Sequence, residues 1–348
     1  MISFHVRHIS ELDPRQLAAT LRLLDACTGA SAYQYPYAGA KGDLLFQLEH
    51  DGELCFSGRA SIGLVASRFL PFFRTLVCNR GPVAGSQADL LEGIARIAAW
   101  ARQQRFVKMQ VGPDIELPSA LALADELTRQ GWLINRQQRR FTLRLDISRP
   151  ETELMASFPK ACRYKVARAL REGIRLEYGT TPAALAAFIG VYRQMTQRKG
   201  LAASSPAFFE ALWQLRDTGG NRLGLIMAYF GEDLLGANLV YRTGQRAEYL
   251  FGAVHSDNPV LHGDVTAGYP LQWAAIQWAK AAGCTVYDFG GFDPQADSGP
   301  ARLKKSFFQN PVATELLPAA TLVLRPRLSA VLEFLQNNIR GRLRNASR

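Results

Sequence analysis

Two hairpin signals, one in each half of the chain, limit the folds open to it more than any other feature. In the first, LLFQLE at 44–49 and ELCFSG at 53–58 flank Asp51-Gly52, a dipeptide that accepts the positive φ of a tight turn. In the second, LGLIMAY at 223–229 and LLGANLVY at 234–241 meet across Gly231-Glu232-Asp233. Helical periodicity surrounds both. Before the first hairpin, Leu17, Leu21 and Leu24 recur at helical spacing behind Pro14, predicting a helix over 14–27. After it come a strand at 73–78, a helix at 87–104, the strand FVKMQV and a helix at 119–130. Around the second hairpin, the pattern predicts a helix at 151–172, the strand IRLEYG, and helices at 182–199 and 206–217. The strand AEYLFGA, a long helix at 266–282 stopped by Gly283, and the strand TVYDF then follow.

Each half therefore consists of helices, an antiparallel strand set, a helix and a closing strand. The fold class is α+β, with a whole domain duplicated rather than a short repeat. The boundary is expected at Asp146-Ile147-Ser148-Arg149-Pro150, giving domains 1–147 and 148–316. The segment 317–340 is left over, free to return and pack on the first domain.

Composition supports two real cores. Of 348 residues, 48% are apolar and 20% charged, which argues against disorder. The net charge of +11 attracts polyanions such as nucleic acid, nucleotide-sugars or anionic lipid. Five cysteines (Cys27, Cys55, Cys78, Cys162, Cys284) have no C-x-x-C spacing; this excludes a zinc knuckle and fits a reducing compartment. The start, MISFHVRHISELDP, lacks the apolar region of a signal peptide, and no window approaches 18 uncharged apolar residues. A cytoplasmic protein is expected. The histidines (His5, His8, His50, His255, His262) show neither metal nor triad spacing and read as surface or packing residues, so no metal is expected.

One stretch asks for a chemical explanation: YDFGGFDPQADSGPARLKKSFF, Tyr287–Phe308. A strand runs into Gly290-Gly291, then a polar loop, then Lys304-Lys305. It is not a phosphate cradle. A P-loop places lysine directly after its second glycine, and a dinucleotide turn needs G-x-G-x-x-G; neither spacing occurs here. The stretch HGDVTAGY at 262–269 also has its glycines at the wrong spacing for an acyl-CoA pyrophosphate turn.

The stretch instead resembles the signature of the FemABX family, the aminoacyl-tRNA-dependent transferases that build peptidoglycan bridges. That signature runs from YDFGG through a loop to F-K-K-G-F; here the end reads Leu303-Lys304-Lys305-Ser306-Phe307. PKACRYKVARALREGIRLE (159–177) is similar to the family's basic helix, VYRQMTQRKGL (191–201) to its M-x-x-x-x-R-x-G-F segment, and NRGPV (79–83) to its R-G-P-V turn. The resemblance implies two tandem domains of the GNAT (acyl-CoA N-acyltransferase) fold, each a mostly antiparallel sheet flanked by helices. The coiled-coil arm of some members is absent, for want of heptads.

The resemblance also implies roles. An acceptor amine attacks the ester carbonyl joining an amino acid to its tRNA, and Lys304, with Lys305 beside it, meets the negative charge that develops. A solvated Lys-Lys pair is the plain alternative. Arg198, Lys41 and Tyr249 are the acceptor-binding candidates, Arg198 through bidentate donation to a phosphate. Leu303 and Phe307 fall at the donor end, where leucine stands for an aromatic that stacks on the tRNA terminus. Asp288, Gly290 and Gly291 form the loop. The acceptor implied is a peptidoglycan precursor or related peptide. No cofactor is implied beyond aminoacyl-tRNA as co-substrate. An acyl-CoA or other thioester donor on the same double fold is the alternative, and a non-catalytic RNA-binding or cell-envelope assembly protein is a third reading.

The helix 158–171 can be read without any family. At about 100° per residue, Lys160, Arg163, Arg168 and Arg171 share one side, opposite Cys162, Val166, Ala169 and Leu170. A one-signed stripe of this kind suits a tRNA backbone, or is simply solvated. Arg340, Arg342, Arg344 and Arg348 form a second cluster that suits an anionic membrane surface or simply frays.

Overall fold

In a computed structural model, the protein is described over residues 1–27, 29–36, 43–64, 74–217, 222–255, 258–263 and 265–331. These residues fall into two compact units. The first comprises the chain up to Arg139 together with the stretch from Leu316; the second is Arg140–Glu315.

The first unit opens with β1 (Ile2–His8), α1 (Pro14–Ala26), β2 (Leu44–His50) and β3 (Glu53–Leu64). It continues with β4 (Arg74–Cys78), β5 (Val83–Ala84), α2 (Gln87–Gln103), β6 (Lys108–Val111), α3 (Leu117–Arg129) and β7 (Leu133–Ile134). The Asp51-Gly52 turn forms with both φ positive, 51° and 84°. Helix α1 starts where Asp13 accepts from the N–H groups of Arg15 and Gln16, with Pro14 behind it. Helix α2 packs its apolar face on the sheet, and the approach is close. A Cβ at Gly93 would lie 2.3 Å from the Phe56 ring. Phe46, Trp100 and Phe106 fill the space beside them.

The second unit contains β8 (Arg140–Asp146), α4 (Glu151–Ser157), α5 (Lys160–Arg171), β9 (Arg175–Tyr178), α6 (Pro182–Arg198) and α7 (Pro206–Gln214). It then has β10 (Leu223–Phe230), β11 (Asp233–Thr243), β12 (Arg246–Val254), α8 (Gly268–Ala281), β13 (Val286–Phe292), α9 (Gly299–Lys305) and, at its end, β14 (Thr314–Leu316). Its sheet runs β14-β8-β13-β12-β11-β10-β9. Strands β12 and β13 are parallel, while the pairs β8–β13, β9–β10, β10–β11 and β11–β12 are antiparallel. Helix α8 is apolar almost all round, with Leu271, Trp273, Ala274, Ala275, Ile276, Trp278 and Ala279 buried. It is enclosed by α5 and the strands β10–β12.

After β14 the chain supplies β15 (Ala320–Val323) to the first unit. There it lies between β6 and β7, antiparallel to both. The first sheet is β1-β2-β3-β4-β6-β15-β7, with β5 on β3. Both units are thus α+β, mixed and mostly antiparallel.

The structure departs from the sequence reading at three places. Residues 140–146 belong to the second sheet, because β8 pairs with β13 from Phe141↔Phe292 to Asp146↔Val286; the units meet at Arg139/Arg140 rather than after residue 147. The single helix expected over 151–172 is two. Pro159 cannot donate to the turn before it and forces Phe158 into extended backbone, φ −72° and ψ 151°. The polar loop expected before Lys304 carries α9, started by the Ser298 hydroxyl, which accepts from the Ala301 N–H.

The placement of β15 has a testable consequence. A chain ending at Glu315 is expected to lose cooperative unfolding of the first unit, since β7 loses its neighbour and Leu317, Ala320 and Leu322 leave the core. Proteolysis should then cut within 1–139 while sparing 140–315.

Candidate active site

The second sheet carries a row of charged side chains across three neighbouring strands. In register, Arg144 of β8 faces Asp288 of β13, which faces Glu248 of β12. Asp288 is only 2% exposed. Its carboxylate accepts from the Thr142 hydroxyl, from the Gly290 N–H at 2.8 Å and from Arg144 Nε at 3.0 Å. Burial works against the charge, but Arg246, Arg144, Thr142 and the Gly290 N–H outweigh it. They hold the carboxyl below its ordinary range.

Beyond Asp288 the strand bulges. Asp288 pairs with Arg144 but Gly291 pairs with Thr142, so two residues, Phe289 and Gly290, stand against Leu143 alone. Gly290 adopts φ +71°, and a Cβ there would sit 2.6 Å from the Tyr249 carbonyl oxygen. Only glycine fits both constraints. The Thr142 hydroxyl also lies 3.0 Å from the Gly290 carbonyl. Parallel pairing of β12 with β13 ends at Glu248 and Asp288, so the site sits where two parallel strands stop pairing at their C-terminal ends.

Lys304 comes to this place from α9. Its Nζ donates to the Gly291 carbonyl at 2.6 Å and lies 5.6 Å from the centre of the Tyr249 ring. The residue is 9% exposed. Burial lowers its ammonium from 10.5 to about 8, against the pull of Asp288 and Glu248. The result is a desolvated cation held beside two carboxylates. It can donate hydrogen bonds to a developing oxyanion, and it loses its charge within the neutral-to-alkaline range.

The other residues singled out in the sequence divide into several groups. Tyr249 lies under the Lys304 ammonium, and burial pushes its hydroxyl up to about 12, which Gln272 opposes. Lys305 turns away from the charge row and donates to the Pro294 carbonyl at 3.0 Å and the Ala296 carbonyl at 3.3 Å; it latches the 293–297 loop. Phe307 is buried among Phe158, Phe289 and Tyr269. Its ring therefore anchors α9 rather than reaching a donor. Leu303 packs on the start of α8, its Cδ2 lying 3.2 Å from where a Cβ of Gly268 would be. Arg198, at the end of α6, donates to the Val254 carbonyl at 3.2 Å where β12 ends. Lys41 lies outside the described residues.

The basic stripe is less uniform than its spacing implied. Arg163 folds back to donate to the Ala156 and Phe158 carbonyls at 2.7 and 2.9 Å, capping the end of α4. Arg168 contacts the Tyr164 hydroxyl and lies 3.7 Å from the Glu172 carboxylate. Lys160 and Arg171 are exposed. Lys165, which the stripe did not include, sits 5.0 Å over the Tyr269 ring. Thr142, Arg144, Arg246, Glu248 and Gln272 complete the site and were not singled out. The four strand residues come together through the pairing of β8, β13 and β12 and Gln272 through the packing of α8, neither of which a single sequence displays.

These side chains are carried by a tandem GNAT-like fold. Residues 156–305 match the family described as acetyltransferase (GNAT) domain. The chain is 22% identical over 272 residues to the UDP-N-acetylmuramoylpentapeptide-lysine N(6)-alanyltransferase of Weissella viridescens, covering 73% of this chain and 77% of that protein. Among solved structures it is similar to FemX, with a TM-score of 0.74 at 16% identity over 94% of this chain and 100% of that one. A tandem GNAT protein from the clavulanic acid pathway gives a TM-score of 0.56 at 13% identity, covering 93% and 99%. The likeness in structure shows the fold, and in sequence the chain is similar to a Fem-type alanyltransferase.

Two measurements test the site. Lys304 should titrate with a midpoint of about 8 when its side-chain resonances are followed by NMR, and Asp288→Asn should lower that midpoint further. The unfolded chain keeps this proton to about 10.5, so the contribution of Lys304 itself, read as the difference in urea unfolding between the parent and Lys304→Ala, should rise with pH between 8 and 10.5. Gly290→Ala is expected to cost at least about 2 kcal/mol in urea unfolding, through left-handed strain and the clash with β12.

Proposed function

We propose that this chain is a Fem-type aminoacyltransferase that moves an amino acid from aminoacyl-tRNA onto an amine of a peptidoglycan precursor or related peptide. The observation that carries the reading is Lys304, a buried ammonium held at the end of the parallel β12–β13 pairing. Sequence similarity to a lysine alanyltransferase supports the acceptor class.

In this reading the acceptor amine attacks the ester carbonyl of the charged tRNA. The carbonyl oxygen takes up negative charge, and Lys304 Nζ meets it with a hydrogen bond already oriented by the Gly291 carbonyl. The C–O bond to the ribose then breaks, the tRNA leaves as its hydroxyl, and the nitrogen gives up its proton as the amide forms. Tyr249 gives the ammonium an aromatic face to rest on. Asp288 and Glu248 keep the lysine charged despite its burial. Arg198 and the exposed members of α5, Lys160 and Arg171, are the proposed contacts to acceptor and donor phosphates.

Transfer of labelled amino acid from charged tRNA to a precursor peptide is expected to vanish with RNase. Transfer that survives RNase and instead requires acyl-CoA overturns the reading in favour of a thioester donor. Lys304→Ala should lower the single-turnover rate roughly 100–1,000-fold with unfolding unchanged or improved. With the parent protein the rate should fall as pH rises through about 8, as the ammonium is lost. Lys304→Arg should hold its rate across that range.

A further inference from the structure

We propose that His50, Cys55 and Asp89 form a binding site on the first unit for a divalent cation of the zinc class. The three come from separate elements: the end of β2, the start of β3 and the first turn of α2. Their ligand atoms all lie within 4.8 Å of one another.

A local irregularity brings them together. In the β2–β3 hairpin, Leu48 pairs with Phe56 and Glu49 with Leu54, which leaves Cys55 as an extra residue on β3. Such a bulge takes a side chain out of the strict alternation of a strand. Cys55 accordingly packs toward the same core as its neighbour Phe56 rather than away from it. The Cys55 carbonyl accepts from the Gly85 N–H at 3.0 Å, tying the bulge to the residue before Ser86, the N-cap of α2. Asp89 is fixed from the other side. Its Oδ2 accepts from the Ser86 hydroxyl at 2.6 Å, and its N–H donates to that oxygen at 3.1 Å. This leaves Oδ1 directed at His50 Nε2, 3.6 Å away.

The geometry suits one small tetrahedral ion. Bonds of about 2.0–2.3 Å place ligand atoms roughly 3.3–3.8 Å apart. The His50–Asp89 edge already has that length, and the remaining edges, within 4.8 Å at the start, close by at most about 1.5 Å. The donor set also selects the metal. Imidazole, thiolate and carboxylate together favour zinc and its neighbours, whereas magnesium and calcium require oxygen throughout. Three protein ligands leave the fourth position to water. The Ser86 hydroxyl supports the ligating carboxylate, as groups behind metal ligands commonly do. With its side chain 45% exposed, His50 gives an ion access from solvent. On binding, the Cys55 proton, now directed at the Leu48 carbonyl at 3.3 Å, leaves to solvent as the sulfur–metal bond forms. The bound ion would clasp the hairpin to α2.

The test uses the full chain, stripped with a chelator and titrated with Co²⁺ and then Zn²⁺. One Co²⁺ per chain is expected, with the near-ultraviolet band of a thiolate bound to cobalt, and Cys55→Ser should abolish that band. His50→Gln, changed on the exposed side of the site, should weaken Zn²⁺ binding at least about 10-fold, the loss typical of even a supporting group. Zn²⁺ should also raise the melting temperature of the parent more than that of either variant. No charge-transfer band at saturating Co²⁺ overturns the proposal. So does a band that persists in Cys55→Ser, which then belongs to another cysteine, or unchanged Zn²⁺ affinity in His50→Gln.

Discussion

The ionised carboxylate of Asp288, buried in the middle of the second sheet, sets the form of everything around it. A charge in that position survives only with its lone pairs occupied, and the fold meets this demand from three directions. Arg144 and Thr142 arrive on β8, and the Gly290 amide arrives from the same strand after a bulge. The bulge is what turns the Gly291 carbonyl toward Lys304. The lysine in turn tolerates burial because Asp288 and Glu248 lie close. Removal of the carboxylate would leave Glu248 to hold the charge on Lys304. Asp288 therefore secures the sheet and keeps the ammonium charged.

Much of this was legible in the sequence, for identifiable reasons. The hairpin turns were visible because Asp51-Gly52 and Gly231 leave the backbone few choices. The duplicated α+β order followed from the switch between two-residue and helical periodicities. Lys304 stood out because a short motif surrounds it. The neighbours of Lys304 could not be read in the same way. Arg144 lies well over a hundred positions from Asp288 (|i−j| = 144), and nothing local to either marks the pairing. Phe307 and Lys305 show the opposite failure. Their motif positions suggested ligand contact, yet a ring beside a strand end is drawn into the core, and a lysine beside bare loop carbonyls binds them.

The basic helix carries a similar lesson about charge. Helical spacing set Lys160, Arg163, Arg168 and Arg171 opposite Cys162, Val166, Ala169 and Leu170, but Leu170 is 43% exposed and only the other three are buried. Spacing does not reveal that the helix before it ends in open carbonyls, and Arg163 bends back to satisfy them. A stripe read as four equivalent cations is two exposed ones beside one that caps and one that meets an acid.

The path of β15 bears on how the chain is made. During synthesis from the N-terminus, the second unit has all of its strands once residue 316 has emerged. The first unit, although it begins earlier, still lacks the strand that separates β6 from β7. Until then β6 presents an unpaired edge and the core around Met109 and Leu127 is open on one side. The domain translated first is thus the one finished last, and the later domain reaches a closed sheet before its predecessor does.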